Sequence, residues 1–127
     1  PLAQTRGADY LFSRGLCPDL ARESGAKFSP LFMGRPAMVF PLRDQSGALK
    51  GVHARYVDER ETPKSRTLGD KKSAIFATSD ALLPALPALI VTEAPLDALS
   101  LALAGYPAIA LCGTSAPHWL HRACAFR

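Results

Sequence analysis

"VTEAPLDALSLALAGYPAIALCGTS", residues 91–115, places two acids, Glu93 and Asp97, in a run of apolar and small residues. The segment that leads into it, "ALIVTE" (88–93), is short, apolar and partly β-branched, and it ends in an acid. That is the pattern of a buried-type strand. "PLDALSLALAG" (95–105) opens with a proline suited to a first helical turn. It repeats Leu96, Leu99 and Leu103 at helical spacing and closes on Gly105. "PAIALCG" (107–113) is a second strand of the same kind, and Thr114 or Ser115 can cap a helix over "APHWLHRACAF" (116–126). Strand, helix, strand and helix predict a parallel pair joined by a right-handed crossover.

Ligand chemistry in a parallel sheet gathers at the carboxyl ends of the strands, where loops turn into helices. Glu93 closes the first strand there, Asp97 lies in the first turn of the helix, and Gly113, Thr114 and Ser115 follow the neighbouring strand. These residues predict one small site at one rim, and paired acids at such a rim suit magnesium or acid–base work on phosphates. Asp97 also has a plain structural reading as a charge at a positive helix end. Gly113-Thr114-Ser115 reads equally as a turn and helix cap. Glu93 is different, because an acid closing an apolar strand has no routine structural duty and loses solvation there.

Outside this stretch the chain has the composition of a folded domain. Its 127 residues are 48% hydrophobic and 20% charged, enough for one domain or two small subdomains sharing a core. No apolar run reaches the roughly 18 residues needed to cross a bilayer; the longest, Ala81 to Leu89, is broken by Pro84 and Pro87. No export signal is evident, and Cys17, Cys112 and Cys124 are scattered, which fits a reducing cytoplasm better than a disulfide framework. Neither they nor His53, His118 and His121 show a metal-binding spacing; the last two read as helix-surface residues. The leading Pro1 suggests a sequence cut from a longer one.

The net charge of +4 favours nucleic acid only weakly, but its distribution is uneven. Arg43, Lys50, Arg55, Arg60, Lys64, Arg66, Lys71 and Lys72 crowd one segment, while Ile75 to Pro117 has no Lys or Arg. Upstream, Ala8 to Ser24 reads as two short helices separated near Gly15, with Pro18 opening the second. "SPLFMGRP" (29–36) reads as a loop or turn. "AMVFPLRDQSGALKGVHARYV" (37–57) reads as a hairpin turning at "DQSG", with Pro41 restricting its strand to an edge or a bulge. "DERETPKSRTLGDKKS" (58–73) reads as a polar loop, and "AIFATS" (74–79) as a short strand.

At Glu93 and Asp97 the sequence resembles the Toprim family, the catalytic fold of bacterial-type primases, topoisomerases and related nucleases. The family's first motif is an apolar strand ending in glutamate, then glycine, two variable residues and an aspartate that opens a helix. Here the strand, Glu93, Asp97, the helix, Gly105, the second strand and Gly113-Thr114 match, and Ala94 stands where the family usually has glycine. Ahead of it, Leu11, Arg14-Gly15, Phe40-Pro41, Gly47, Gly51, Arg55, Pro63-Lys64 and Lys71-Lys72 follow the order of elements in bacterial replicative primases. The resemblance covers roughly residues 9 to 125 and is nearest to plasmid or phage primases and primase-helicases.

The resemblance implies an α/β fold: an α+β amino-terminal subdomain with a small antiparallel sheet (1–86), then a partial Toprim βαβα unit with parallel strands (87–127). It implies a DNA primase that joins ribonucleotides on a single-stranded DNA template with Mg2+ or Mn2+, in the cytoplasm, with a helicase as a domain or partner and no membrane. Glu93 and Asp97 would be catalytic, Glu93 also a metal ligand. Arg55, Lys64, Lys71, Lys72, Gly113 and Thr114 would hold nucleic acid or nucleotide. Trp119 and Tyr56 would stack on bases, with packing in the core the alternative for Trp119. The family's Asp-x-Asp metal ligands are expected shortly after Arg127, so the 127 residues alone are expected to make no primers. The rival readings are a non-catalytic nucleic-acid-binding module, a Toprim nuclease or topoisomerase, and a serine hydrolase using Ser115.

Overall fold

Thr5 starts the first helix by accepting the Ala8 N–H on its hydroxyl, and α1 runs from Arg6 to Ser13. This computed structural model describes residues 2–58, 63–70, 72–79, 89–113 and 116–124. Pro18 occupies the first turn of α2 (Pro18–Glu23), where its missing N–H costs no hydrogen bond. Four antiparallel strands follow, β1 (Lys27–Phe32), β2 (Arg35–Arg43), β3 (Leu49–Tyr56) and β4 (Ser65–Gly69), in the order β1-β2-β3-β4. A second sheet has the order β5-β7-β6, built from β5 (Phe76–Ala77), β6 (Ile90–Thr92) and β7 (Ala108–Ala110). Helix α3 (Pro95–Leu103) joins β6 to β7, and α4 (His118–Cys124) comes after β7. The fold is therefore α/β, with the expected antiparallel and parallel parts.

Two segments, one expected to be a loop or turn and the other a loop, contain strand residues. "SPLFMGRP" holds the end of β1 and the start of β2, joined by a two-residue turn at Met33 and Gly34 with φ of 49° and 88°. Such turns match the twist of the flanking strands but require left-handed backbone, which methionine seldom signals. Pro30 is tolerated because β1 is an edge strand whose register shifts between Ser29 and Phe32. In "DERETPKSRTLGDKKS", β4 pairs with β3 from Arg55↔Ser65 to Gly51↔Gly69. The two glycines allow that pairing to close: a Cβ on Gly51 would overlap the Leu68 carbonyl oxygen, and one on Gly69 the Lys50 carbonyl oxygen.

Pro41 lies on an interior strand, β2, whose register to β3 shifts just beyond it, between Leu42 and Arg43. Its ladder to β1 reaches only Lys27↔Val39, so opposite Pro41 the β1 side has already left the sheet at Gly25. An interior strand thus offers a local edge where a residue without N–H does no harm. The "DQSG" turn forms as read: Gly47 N–H bonds to the Asp44 carbonyl, and Asp44 Oδ1 accepts from the Ser46 hydroxyl and from the N–H groups of Ser46 and Ala48. The Ser46 hydroxyl, more than any other group, holds the Asp44 carboxyl below its ordinary pKa. Because the folded value lies below the unfolded one, this turn's contribution is present above the unfolded value and lost as the pH falls through the folded one.

The sheets meet where β2 crosses β5. Phe40 and Phe76 are fully buried with their rings edge to face at 5.3 Å, and the Arg43 and Ile75 backbones exchange two hydrogen bonds. Around them Leu11, Met38, Leu42, Leu99, Ala108 and Ala110 form the main core. Helix α3 buries Leu96 and Leu99 against it, whereas Leu103, read with them as one stripe, is 51% exposed. The boundary expected at 86/87 lies outside the described residues. Among those described, no helix is long and apolar enough to cross a membrane.

Candidate active-site cleft

Parallel pairing of β6 with β7 runs Ile90↔Ala108, Val91↔Ile109 and Thr92↔Ala110, which brings the carboxyl ends of both strands to one rim. The backbone continues to pair beyond the strands: Leu111 N–H donates to the Thr92 carbonyl at 3.0 Å and Cys112 N–H to the Glu93 carbonyl at 2.8 Å. Thr92 Oγ1 lies 2.9 Å from the Ile109 carbonyl oxygen and 3.1 Å from that of Ala94. Cys112 reaches its position with a φ of 55°, left-handed for a residue with a side chain. These contacts fix the backbone that carries Glu93. Ala94 caps α3 without a side-chain hydrogen bond, and Pro95 opens the helix. Asp97 then projects from the first turn.

Both carboxylates are exposed and line a cleft of about 440 Å³ with His53, Arg55, Ser65, Arg66, Thr67, Ala94 and Cys112. The opposite wall comes from the antiparallel sheet. His53 and Arg55 are two apart on β3 and pair directly with Thr67 and Ser65 on β4, so these four share one face. The His53 Nδ1 is 2.7 Å from the Thr67 hydroxyl. Among the described residues, no ion pair joins Glu93 or Asp97 to an arginine. The cleft thus holds two carboxylates and the Arg55 guanidinium, with Arg66 lining it from the edge strand β4, and among the described residues no ion pair neutralises them, which suits a ligand carrying phosphates together with a cation.

The structure brings Glu93, Asp97 and Arg55 together and separates other residues expected with them. Lys64 is exposed beside Ser65 but does not line the cleft; its carbonyl accepts the Tyr56 N–H. Lys72 lines a different cleft, described below. Gly113 follows β7 without lining either cleft, and Lys71 and Thr114, like Ser115, lie outside the described residues. Tyr56 is 4% exposed with the Arg35 guanidinium 3.9 Å above its ring, so it is a core residue and offers no face to a base. His53, Ser65, Arg66 and Thr67 were not expected at the site. For His53, Ser65 and Thr67 the signal was the two-residue parity shared with Arg55, which is visible only once β4 is read as a strand; Arg66 pairs with Ala54, on the other parity, and lines the cleft from the sheet edge.

No family model matches the sequence, and no curated protein matches it. Solved structures do match. The RNA polymerase domain of the Mycobacterium tuberculosis primase DnaG, solved with a double-stranded DNA oligomer bearing a 6-nucleotide overhang, aligns with a TM-score of 0.74 and 20% identity. The alignment covers 98% of this chain and 54% of that one. The E. coli primase catalytic core aligns with a TM-score of 0.71 and 22% identity, over 93% of this chain and 52% of that one. A DnaG primase catalytic domain bound to single-stranded DNA gives 0.68 and 24%, over 88% and 48%. The chain spans about half the length of these structures. Over nearly all of its own length it has the fold of a DnaG-type primase catalytic domain, the Toprim-containing fold that its motifs resemble.

Proposed function

We propose that this chain is part of a DNA primase that forms RNA primers on single-stranded DNA by nucleotidyl transfer. The observation that carries the reading is the meeting of Glu93 and Asp97 with Arg55 and Arg66 in one cleft. Arg55 and Arg66 bind phosphate oxygens of nucleotide or template and orient the phosphoryl group for in-line attack. Glu93, held rigidly by its backbone, accepts or relays the proton of the attacking 3′ hydroxyl. Asp97 supports it from the helix start.

The fold implies Mg2+ or Mn2+, and two exposed carboxylates fit such a hard cation. Fewer than three donors come together among the described residues, so Glu93 and Asp97 would hold the ion alongside water and phosphate oxygens, not in an all-protein cage. When bound, the ion stabilises charge that develops on the transferring phosphate. A donor count this low among the described residues also favours one alternative, a nucleic-acid-binding module without chemistry.

The two arginines provide the test. In the protein that carries this sequence, Arg55→Ala and Arg66→Ala are each expected to weaken binding of single-stranded DNA or nucleotide. If the contact is to template phosphate, each lowers the slope of log affinity against log salt by about 0.7. Fluorescence anisotropy at several salt concentrations, together with a primer-synthesis assay, measures both effects. Unchanged binding, salt slope and synthesis in both variants would refute the reading.

A further inference from the structure

A second and larger cleft, of about 590 Å³, opens where the Asp44–Ser46 turn, the segment after β4 and α4 come together. Its lining includes Lys72, His118, Trp119 and Arg122. Its size falls in the range of about 300–1,000 Å³ typical of ligand sites. The half-buried Trp119 packs beside the cluster of Ile75, Ile109 and Leu120, and its Nε1–H donates to the Ser73 carbonyl at 2.8 Å. The indole is therefore fixed before any ligand arrives, and a fixed aromatic loses little freedom on binding.

The charges around it are one-sided. Lys72 and Arg122 are exposed and, among the described residues, form no ion pair. The carboxylate lining this cleft, Asp44, already accepts three hydrogen bonds from its own turn and lies 3.8 Å from Lys50 Nζ. It is occupied within its turn, while the two cations remain available. An immobilised indole that shares its cleft with two cations, neither in an ion pair among the described residues, matches a polymer that alternates flat bases with phosphates.

We infer that this cleft binds single-stranded nucleic acid, with Trp119 meeting a base and Lys72 and Arg122 meeting phosphates. The inference rests on the reading of the protein as a nucleic-acid enzyme and adds a contact outside the Glu93 cleft. An acidic peptide is the competing occupant, but it gives the indole nothing to stack on.

Trp119 is the single tryptophan of the chain, so its emission reports on this cleft alone. Oligothymidylate titrated into the protein should quench that emission. Lys72→Ala with Arg122→Ala should lower the salt slope by about 1.4, which makes the loss of affinity between 50 and 200 mM salt about sevenfold smaller than in the parent. Both side chains are exposed, so the variant keeps its fold, which circular dichroism checks. Labelled oligonucleotide that binds by anisotropy with unchanged Trp119 emission and an unchanged salt slope in the double variant would overturn the inference. The Glu93 cleft would then still stand or fall on its own synthesis assay. Absence of oligonucleotide binding, or quenching by polyglutamate but not by oligothymidylate, would overturn it equally, the latter in favour of a protein partner.

Discussion

Glu93→Gln, made in the protein that carries this sequence, is expected to lower primer synthesis by about 10²–10⁴-fold, the usual loss when a positioned acid–base group is removed. Glutamine keeps the shape and removes the charge. The Glu93 side chain is exposed, and its backbone is held by the Cys112 N–H independently of what the side chain carries, so the fold should not change. Affinity for single-stranded DNA should be retained or rise slightly, because a negative charge leaves a cleft that faces Arg55 and Arg66. That separation of chemistry from binding distinguishes a catalytic carboxylate from a structural one. Synthesis within tenfold of the parent would remove Glu93 from the mechanism.

Phe40→Ala is expected to cost about 3–5 kcal/mol and to lower the melting temperature on the order of 10–20 °C. Phe40 is wholly buried, and its edge-to-face contact with Phe76 spans the junction between the two sheets. Deleting the ring leaves a cavity where neither sheet can collapse without losing the Arg43–Ile75 hydrogen bonds. The cleft has one wall from each sheet, so loosening this junction should also blunt nucleotide binding. Phe12→Ala is the control: Phe12 is 73% exposed, and its loss should change stability by less than about 0.5 kcal/mol. Thermal unfolding followed by circular dichroism compares the two, and equal shifts would contradict this account of the core.

The β6-α3-β7 unit could be read in the sequence because each element has one unmixed signal: an apolar run, a helical repeat, a proline or glycine at its border. The β1–β2 hairpin could not. Pro30 reads as a breaker unless the strand is known to lie at an edge, and Met33 in left-handed backbone hides the turn. Strand β4 is short, largely exposed and polar, so its strand character comes from pairing with β3, not from its own composition. Losing β4 also hid half of the site. Glu93, Asp97 and Arg55 could be chosen by local pattern, but His53, Ser65 and Thr67 become neighbours only through cross-strand register. Lys72 was recognisable as basic, yet which cleft receives it depends on where α4 packs, and no local pattern encodes that.

Paramagnetic broadening bears most directly on the claim that Glu93 and Asp97 form the metal- and phosphate-facing wall. Substoichiometric Mn2+ added to the 15N-labelled chain with a ribonucleoside triphosphate should first broaden the backbone amides of Glu93, Asp97 and Cys112, together with Arg55 on the opposite wall. Glu93→Gln should abolish the effect. Broadening that leaves those amides sharp and instead centres on Asp44 or Asp70, or that persists unchanged in the variant, would contradict the account.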